Sequence, residues 1–292
     1  MTIIPGFEAG KMTVAGVEIA YAKGGSGPPV LLLHGFPQTH AMWHAVAPVL
    51  ARDFTVVCAD LRGYGDSAVP RGAGEFSFRK MAADQRGLMQ ALGFERFHLV
   101  GHDRGARTAH RLTLDAPEAV ASLTLMDIVP THLLLDQLNR HVARAYYHWF
   151  FLAQPEPFPE TMIGHDPDAF YESCLLGWGS ARIEEFEGPA LEAYRAAWRR
   201  PEVIRGMCAD YRDALSADFA DDSADLESRV TCPALVLYGA DGAMAKAYDV
   251  PATWADRLTD YAGQGIPGSH FFIDQYPEET TRALRDFLLK QG

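Results

Sequence analysis

Short apolar runs and longer amphipathic stretches alternate along most of this chain. Residues 30–33, 55–59, 97–100, 122–126 and 234–238 are largely apolar runs rich in Val and Leu, too short for helices. Such runs fit strands buried on both faces of a parallel sheet. Residues 261–265 form the last strand candidate. Residues 11–23 alternate at period two, and Ala15-Gly16 supplies the turn of a β-hairpin. Residues 78–92 place Phe78, Met81, Ala82, Leu88, Met89 and Leu92 on one face, the spacing of an amphipathic helix. Residues 41–52 predict another helix.

The pattern changes between residues 131 and 214. Strand-type runs vanish there and aromatic residues crowd in, among helical stretches punctuated by Pro155, Pro157, Pro159, Gly188-Pro189 and Pro201. Strand-type runs resume at Ala234. This order predicts a core formed by residues 1–130 and 215–292, with a helical cap, residues 131–214, inserted between core strands.

One turn gives the core its chemistry. The run 97–100 is followed by Gly101-His102-Asp103-Arg104-Gly105 and then by a dozen residues without a helix breaker. Strand, Gly-x-nucleophile-x-Gly and helix is the nucleophile elbow of the α/β-hydrolase fold, a mostly parallel, doubly wound sheet. A serine at an elbow attacks acyl carbons. The aspartate here suits displacement at a saturated carbon, with transient esterification of its own side chain. Arg104 and Arg107 share one face of the helix's first turn. Cations there oppose the helix dipole by roughly 0.3–1 kcal/mol each, so their placement points to a substrate carboxylate rather than to stability.

Other candidates follow from position. Asp127 ends the strand at 122–126, where open parallel sheets place ligand-handling groups, although capping of the next segment also fits. His270 lies in a loop before the C-terminal helix that opens at Pro277, so nucleophile, acid and histidine follow the hydrolase order. Asp241 is a second choice for the orienting acid. His34 reads as a loop-bonding histidine, and the turn from Asp60 to Ser67 as structural, since its GxG lacks the rest of a phosphate-loop fingerprint.

Composition narrows the field. The 292 residues carry a net charge of −12, which argues against nucleic acid as a partner. It also requires local cations wherever an anion is to bind. No signal peptide or run long enough to span a bilayer is evident, so a cytoplasmic location is expected. The four cysteines, Cys58, Cys174, Cys208 and Cys232, show no metal-type spacing and read as buried free thiols.

Five motifs carry a resemblance over nearly the whole chain: His34-Gly35-Phe36-Pro37-Gln38, Gly101-His102-Asp103-Arg104-Gly105-Ala106-Arg107, Asp127-Ile128-Val129-Pro130-Thr131, Tyr147-His148-Trp149 and Ala209-Asp210-Tyr211-Arg212. Together they resemble the fluoroacetate and haloacetate dehalogenases. The first is shared with epoxide hydrolases. The elbow motif is more specific, because epoxide hydrolases and haloalkane dehalogenases usually have tryptophan directly after the aspartate.

The resemblance implies Asp103 as nucleophile, Asp127 and His270 as the remainder of the triad, and Arg104 and Arg107 as the carboxylate clamp. It implies His148, Trp149 and Tyr211 as donors to the leaving halide, and backbone N–H groups of Phe36 and Arg104 as an oxyanion hole, with Trp178 lining the pocket. It further implies conversion of small anionic haloacids such as fluoroacetate or chloroacetate to glycolate and halide, without metal or cofactor, and a possible homodimer, since members of that family are often homodimers. An epoxide hydrolase is the nearest alternative, and a catalytically retired ligand receptor a more distant one.

Overall fold

The computed structural model describes residues 2–177, 181–186 and 188–291. An eight-stranded sheet forms the centre, with β1 Glu8–Val14, β2 Val17–Gly25, β3 Pro29–Leu33, β4 Thr55–Ala59, β5 Phe97–His102, β6 Val120–Met126, β7 Ala234–Gly239 and β8 Tyr261–Ile266. Their order is β1-β2-β4-β3-β5-β6-β7-β8. β2 pairs antiparallel with both β1 and β4, and the pairs from β4 through β8 are parallel. The order doubles back at β3 and β5, so the loops after these two strands meet at the C-terminal edge of the sheet. Open α/β sheets bind their ligands at such a switch point.

The apolar runs at 30–33 and 97–100 lie in the two central strands. Val30 to Leu33 and Phe97 to Val100 are all buried, which accounts for their lack of alternation. Ala15 and Gly16 turn the β1-β2 hairpin with positive φ at both residues, as a tight two-residue turn requires. Helix Phe78–Ala91 packs on helix Arg104–Asp115 and turns its predicted apolar face to the core.

The helix expected over residues 41–52 is divided into a 3-10 turn, His40–His44, and a single α-turn, Ala47–Leu50. Pro48 explains the break, because it has no N–H to donate to the carbonyl four residues earlier. Three prolines of the inserted segment, Pro167, Pro189 and Pro201, stand at the first turns of helices Pro167–Gly177, Pro189–Trp198 and Pro201–Asp213. A missing N–H costs nothing at that position. Helices run on past residue 214 through a wider π-helical turn, Ala214–Asp218, and Phe219–Ala224.

Cys58, Cys174 and Cys208 are buried free thiols, while Cys232 is half-buried. Among the described residues, no helix is long and apolar enough to cross a membrane, and no cluster of His, Cys, Asp and Glu is arranged to hold a metal ion. Trp178 lies outside the described residues.

Candidate active site

Asp103 occupies the one-residue turn between β5 and helix Arg104–Asp115, at φ 47° and ψ −113°. Only three non-glycine residues among those described have positive φ: Ala15, Asp103 and Asp127. Two of the three are the carboxylates expected in the triad. Backbone strain of this kind persists where the surrounding structure over-determines it. The glycines of the elbow make the turn sterically feasible. A Cβ on Gly105 would lie 2.4 Å from the His34 carbonyl oxygen, so the helix can reach β3 only with glycine there. Gly35 makes an equally close approach, since its Cβ would lie 2.4 Å from Cβ of Asp103.

The HGFP loop thereby reaches the nucleophile. Phe36 N–H donates to Asp103 Oδ1 at 3.0 Å, which gives the first of the two expected oxyanion donors a definite position. Arg104 N–H belongs to the first turn of the following helix, whose N–H groups have no partner within the helix. His34 serves the loop. Its Nδ1 donates to the Gly35 carbonyl and its Nε2 accepts from Leu61 N–H. In the turn from Asp60 to Ser67, the Asp60 carboxylate accepts from the N–H groups of His40 and Asp66.

His270 faces Asp103 from the loop after β8. Its Nε2 is 3.8 Å from Asp103 Oδ2, and its Nδ1 is 2.6 Å from Asp127 Oδ2. Asp127 is held on its other oxygen by Gly239 N–H at 2.9 Å. Asp241, the alternative acid, accepts from Gly268 N–H instead and so braces the histidine loop away from the ring. His102, inside the elbow motif, was not singled out by sequence. Its Nε2 donates to the His270 carbonyl at 2.8 Å, which ties the loop to the elbow.

Burial disfavours charge on both partners, and the neighbouring charges overcome it. The His270 imidazole is pushed down by burial, but the Asp127 hydrogen bond and the charges of Asp127 and Asp103 hold its pKa above the ordinary value. Burial would raise the Asp103 pKa, yet the positive groups His270, His102, Arg104 and Arg107 bring it to about 2. His102 is itself pushed to about 4 by burial, so at neutral pH it is uncharged and the two arginines remain as the permanent cations beside Asp103.

Arg104 and Arg107 are both buried, against the common fate of arginines in a surface ion pair. Their guanidinium carbons lie 5.1 and 4.9 Å from the centre of the Trp149 ring. Arg107 Nη1 donates to the Val129 carbonyl and to Thr131 Oγ1, which explains the run Asp127-Ile128-Val129-Pro130-Thr131. Arg107 Nε and Arg104 Nη1 are buried with no hydrogen-bond partner among the described residues. Arg104 spends its other nitrogens on Asp210, a partner that sequence reasoning did not identify although it lies in a quoted motif.

Helices Tyr147–Leu152 and Pro201–Asp213 bring three aromatic residues over the elbow. His148 stacks on Phe36 with ring centres 5.6 Å apart, and Tyr211 meets Phe36 edge-on at 5.1 Å. Trp149 meets the Tyr211 ring at 5.3 Å. Trp149 Nε1 and Tyr211 OH are buried donors with no hydrogen-bond partner among the described residues. Burial drives the Tyr211 hydroxyl well above its ordinary pKa and the His148 imidazole well below, so Tyr211 keeps its proton and His148 is neutral. Among the described residues these are four buried donors without a partner, an arrangement that favours negative charge, because each unsatisfied donor carries a desolvation cost of about 1–3 kcal/mol.

An elbow aspartate, a histidine–carboxylate pair and a buried cluster of donors together fit the site of a hydrolase. The chain belongs to the α/β hydrolase fold family, whose pattern it matches over residues 28–275. It is 53% identical to a fluoroacetate dehalogenase from Burkholderia sp over 286 residues, covering 97% of this chain and 94% of that protein. Identity to a soluble epoxide hydrolase of Corynebacterium sp. (strain C12) is 29%, over 95% of this chain and 94% of that one. A solved structure from Nostoc sp PCC 7120, assigned as an α/β hydrolase, superposes with a TM-score of 0.94 at 47% identity, covering 97% of this chain and 98% of the other.

Proposed function

We propose that this protein is a haloacetate dehalogenase that converts fluoroacetate or chloroacetate to glycolate and halide through an ester on Asp103. One observation carries the reading. The elbow aspartate is flanked by two buried guanidinium groups that retain unsatisfied N–H donors, and only a substrate with its own negative charge makes use of them. The identity to a fluoroacetate dehalogenase supports the same substrate class.

The roles follow from charge and position. Arg104 and Arg107 hold the carboxylate. At 4 Å and an effective dielectric of 20, each such charge pair contributes about 4 kcal/mol before desolvation. A fixed carboxylate presents the α-carbon to Asp103, an orientation effect of several kcal/mol. An Asp103 oxygen forms a bond to that carbon as the carbon–halogen bond breaks, and the halide departs with the bonding electron pair. Trp149 Nε1, Tyr211 OH and the neutral His148 ring donate to it as its charge develops, the strategy of an oxyanion hole applied to a leaving group. His270, oriented by Asp127, then takes a proton from water, and the hydroxide adds to Cγ of the Asp103 ester. Phe36 N–H and Arg104 N–H receive the negative oxygen of that tetrahedral intermediate. Its collapse releases glycolate, whose oxygen regains the proton from His270.

On this reading residues 131–214 form a cap over a core of residues 1–130 and 215–292, and the chain self-associates as a homodimer. The substrate test is a panel of fluoroacetate, chloroacetate, bromoacetate and styrene oxide, followed by halide release and diol formation. Halide release from the haloacetates is expected. Turnover of styrene oxide alone would make the protein an epoxide hydrolase.

A further inference from the structure

We propose that Asp210 is a positioning residue that fixes which edge of the Arg104 guanidinium meets the substrate and offsets that guanidinium's charge. This inference rests on the carboxylate-clamp reading above.

Arg104 and Asp210 are both fully buried. Asp210 Oδ2 accepts from Arg104 Nε at 2.8 Å, Oδ1 accepts from Nη2, and the Asp210 carbonyl oxygen also accepts from Nη2 at 3.2 Å. A guanidinium has five N–H groups in a fixed plane, and this grip takes the Nε and Nη2 edge. The Nη1 edge is left without a hydrogen-bond partner among the described residues. Rotation is blocked on the flanks, where the Phe78 and Tyr211 ring centres each lie 4.4 Å from Arg104 Cζ.

Asp210 is itself anchored. Tyr64 OH donates to Oδ2 at 2.6 Å from the core side, so the chain Tyr64, Asp210, Arg104 runs from core to inserted helix and back to the elbow. The same helical run supports the stacked ring, for Asp218 accepts from Phe78 N–H at 2.7 Å. A buried ion pair of this kind is weak evidence for stability, because desolvation can exceed the attraction gained. Its retention beside the nucleophile is better explained by what it does to the site.

Two consequences distinguish Arg104 from Arg107. Arg104 is limited to Nη1, so it can hold one substrate oxygen in one direction, which aligns the α-carbon with Asp103. Its charge is also cancelled locally, which leaves Arg107 as the principal electrostatic attraction for the anion. Asp210 therefore trades ground-state affinity for orientation and for release of the anionic product.

The experiment compares wild type, Asp210→Asn and Tyr64→Phe, with steady-state constants for chloroacetate and glycolate affinity by calorimetry. Asp210→Asn removes the offsetting charge and one of the two side-chain acceptors, which loosens the grip on the guanidinium. The expected result is a fall in kcat of about tenfold or more together with a lower KM and tighter glycolate binding by severalfold. Tyr64→Phe keeps the charge and loses one anchor, so it lowers kcat by less and leaves glycolate affinity close to wild type, and its kcat decides the matter if Asp210→Asn does not fold. Unchanged constants, or a raised KM at constant kcat, overturn the role given to Asp210. Failure of the wild-type protein to release halide defeats the functional reading instead, and glycolate affinity then decides the inference alone: unchanged or weaker binding in Asp210→Asn overturns it.

Discussion

Asp103 Oδ2 and His270 Nε2 face each other across 3.8 Å, with His270 Nδ1 fixed to Asp127 at 2.6 Å. The neighbouring cations hold the Asp103 carboxyl at about 2, so it stays ionised at this separation. On the mechanism proposed above, nucleophile and base act in sequence rather than as a hydrogen-bonded pair, unlike a serine hydrolase in which the base first activates the nucleophile.

This arrangement sets the pH dependence. Ester hydrolysis needs neutral His270, whose pKa is raised, so the rate climbs with pH and levels off alkaline of an ordinary histidine. Stability runs the other way. A group whose folded pKa is raised stabilises fully below its unfolded value, and that contribution is lost as pH rises through the folded value. Asp127→Asn removes the charge that raises His270 and leaves one acceptor oxygen for which Gly239 N–H also competes. Its acid limb is expected to move to lower pH, with turnover down by about a hundredfold or more. A pH–rate profile of the variant beside wild type checks both.

Arg107→Leu removes the cation that lacks a buried carboxylate bonded to it. Haloacetate kcat/KM is expected to fall about a hundredfold, and that of the uncharged analogue chloroacetamide far less. Equal losses for the two substrates would contradict the clamp.

Tyr211→Phe keeps the ring that packs on Phe36 and Trp149 and deletes a buried hydroxyl donor. Fluoride concentrates charge on a small atom and leaves reluctantly. The variant is expected to lose roughly a hundredfold in defluorination and markedly less with bromoacetate. A uniform loss across the halides would place the hydroxyl elsewhere in the reaction.

The elbow was legible because its chemistry is local. Gly101 through Gly105, the strand before it and the helix after it are contiguous, and the requirement for glycine at 105 is a steric fact about one turn. The same locality predicts that Gly105→Ala, whose new methyl would meet the carbonyl oxygens of His34 and Leu33 at 2.4 and 2.6 Å, lowers stability by about 2 kcal/mol or more in urea unfolding.

Residues 106 positions apart were not legible in the same way. Nothing in the sequence says that Asp210 meets Arg104, because no periodicity links helix Pro201–Asp213 to the elbow helix and the pairing arises only when the two pack. His102 was hidden for a different reason. It sits in the variable position of the motif, and its bond to the His270 carbonyl depends on where the β8 loop falls. The break at Pro48 was readable in principle, since the missing N–H is a property of the residue itself.

The ester on Asp103 is the step from which every other role derives. Single-turnover reaction with chloroacetate in H2(18)O, followed by mass spectrometry of the peptide bearing Asp103, tests it most directly. The account predicts one heavy oxygen in the Asp103 carboxylate and none in the glycolate, since the first product takes its oxygen from the protein. Heavy oxygen in the glycolate with an unlabelled Asp103 would mean that water attacks the substrate directly, and would contradict the account.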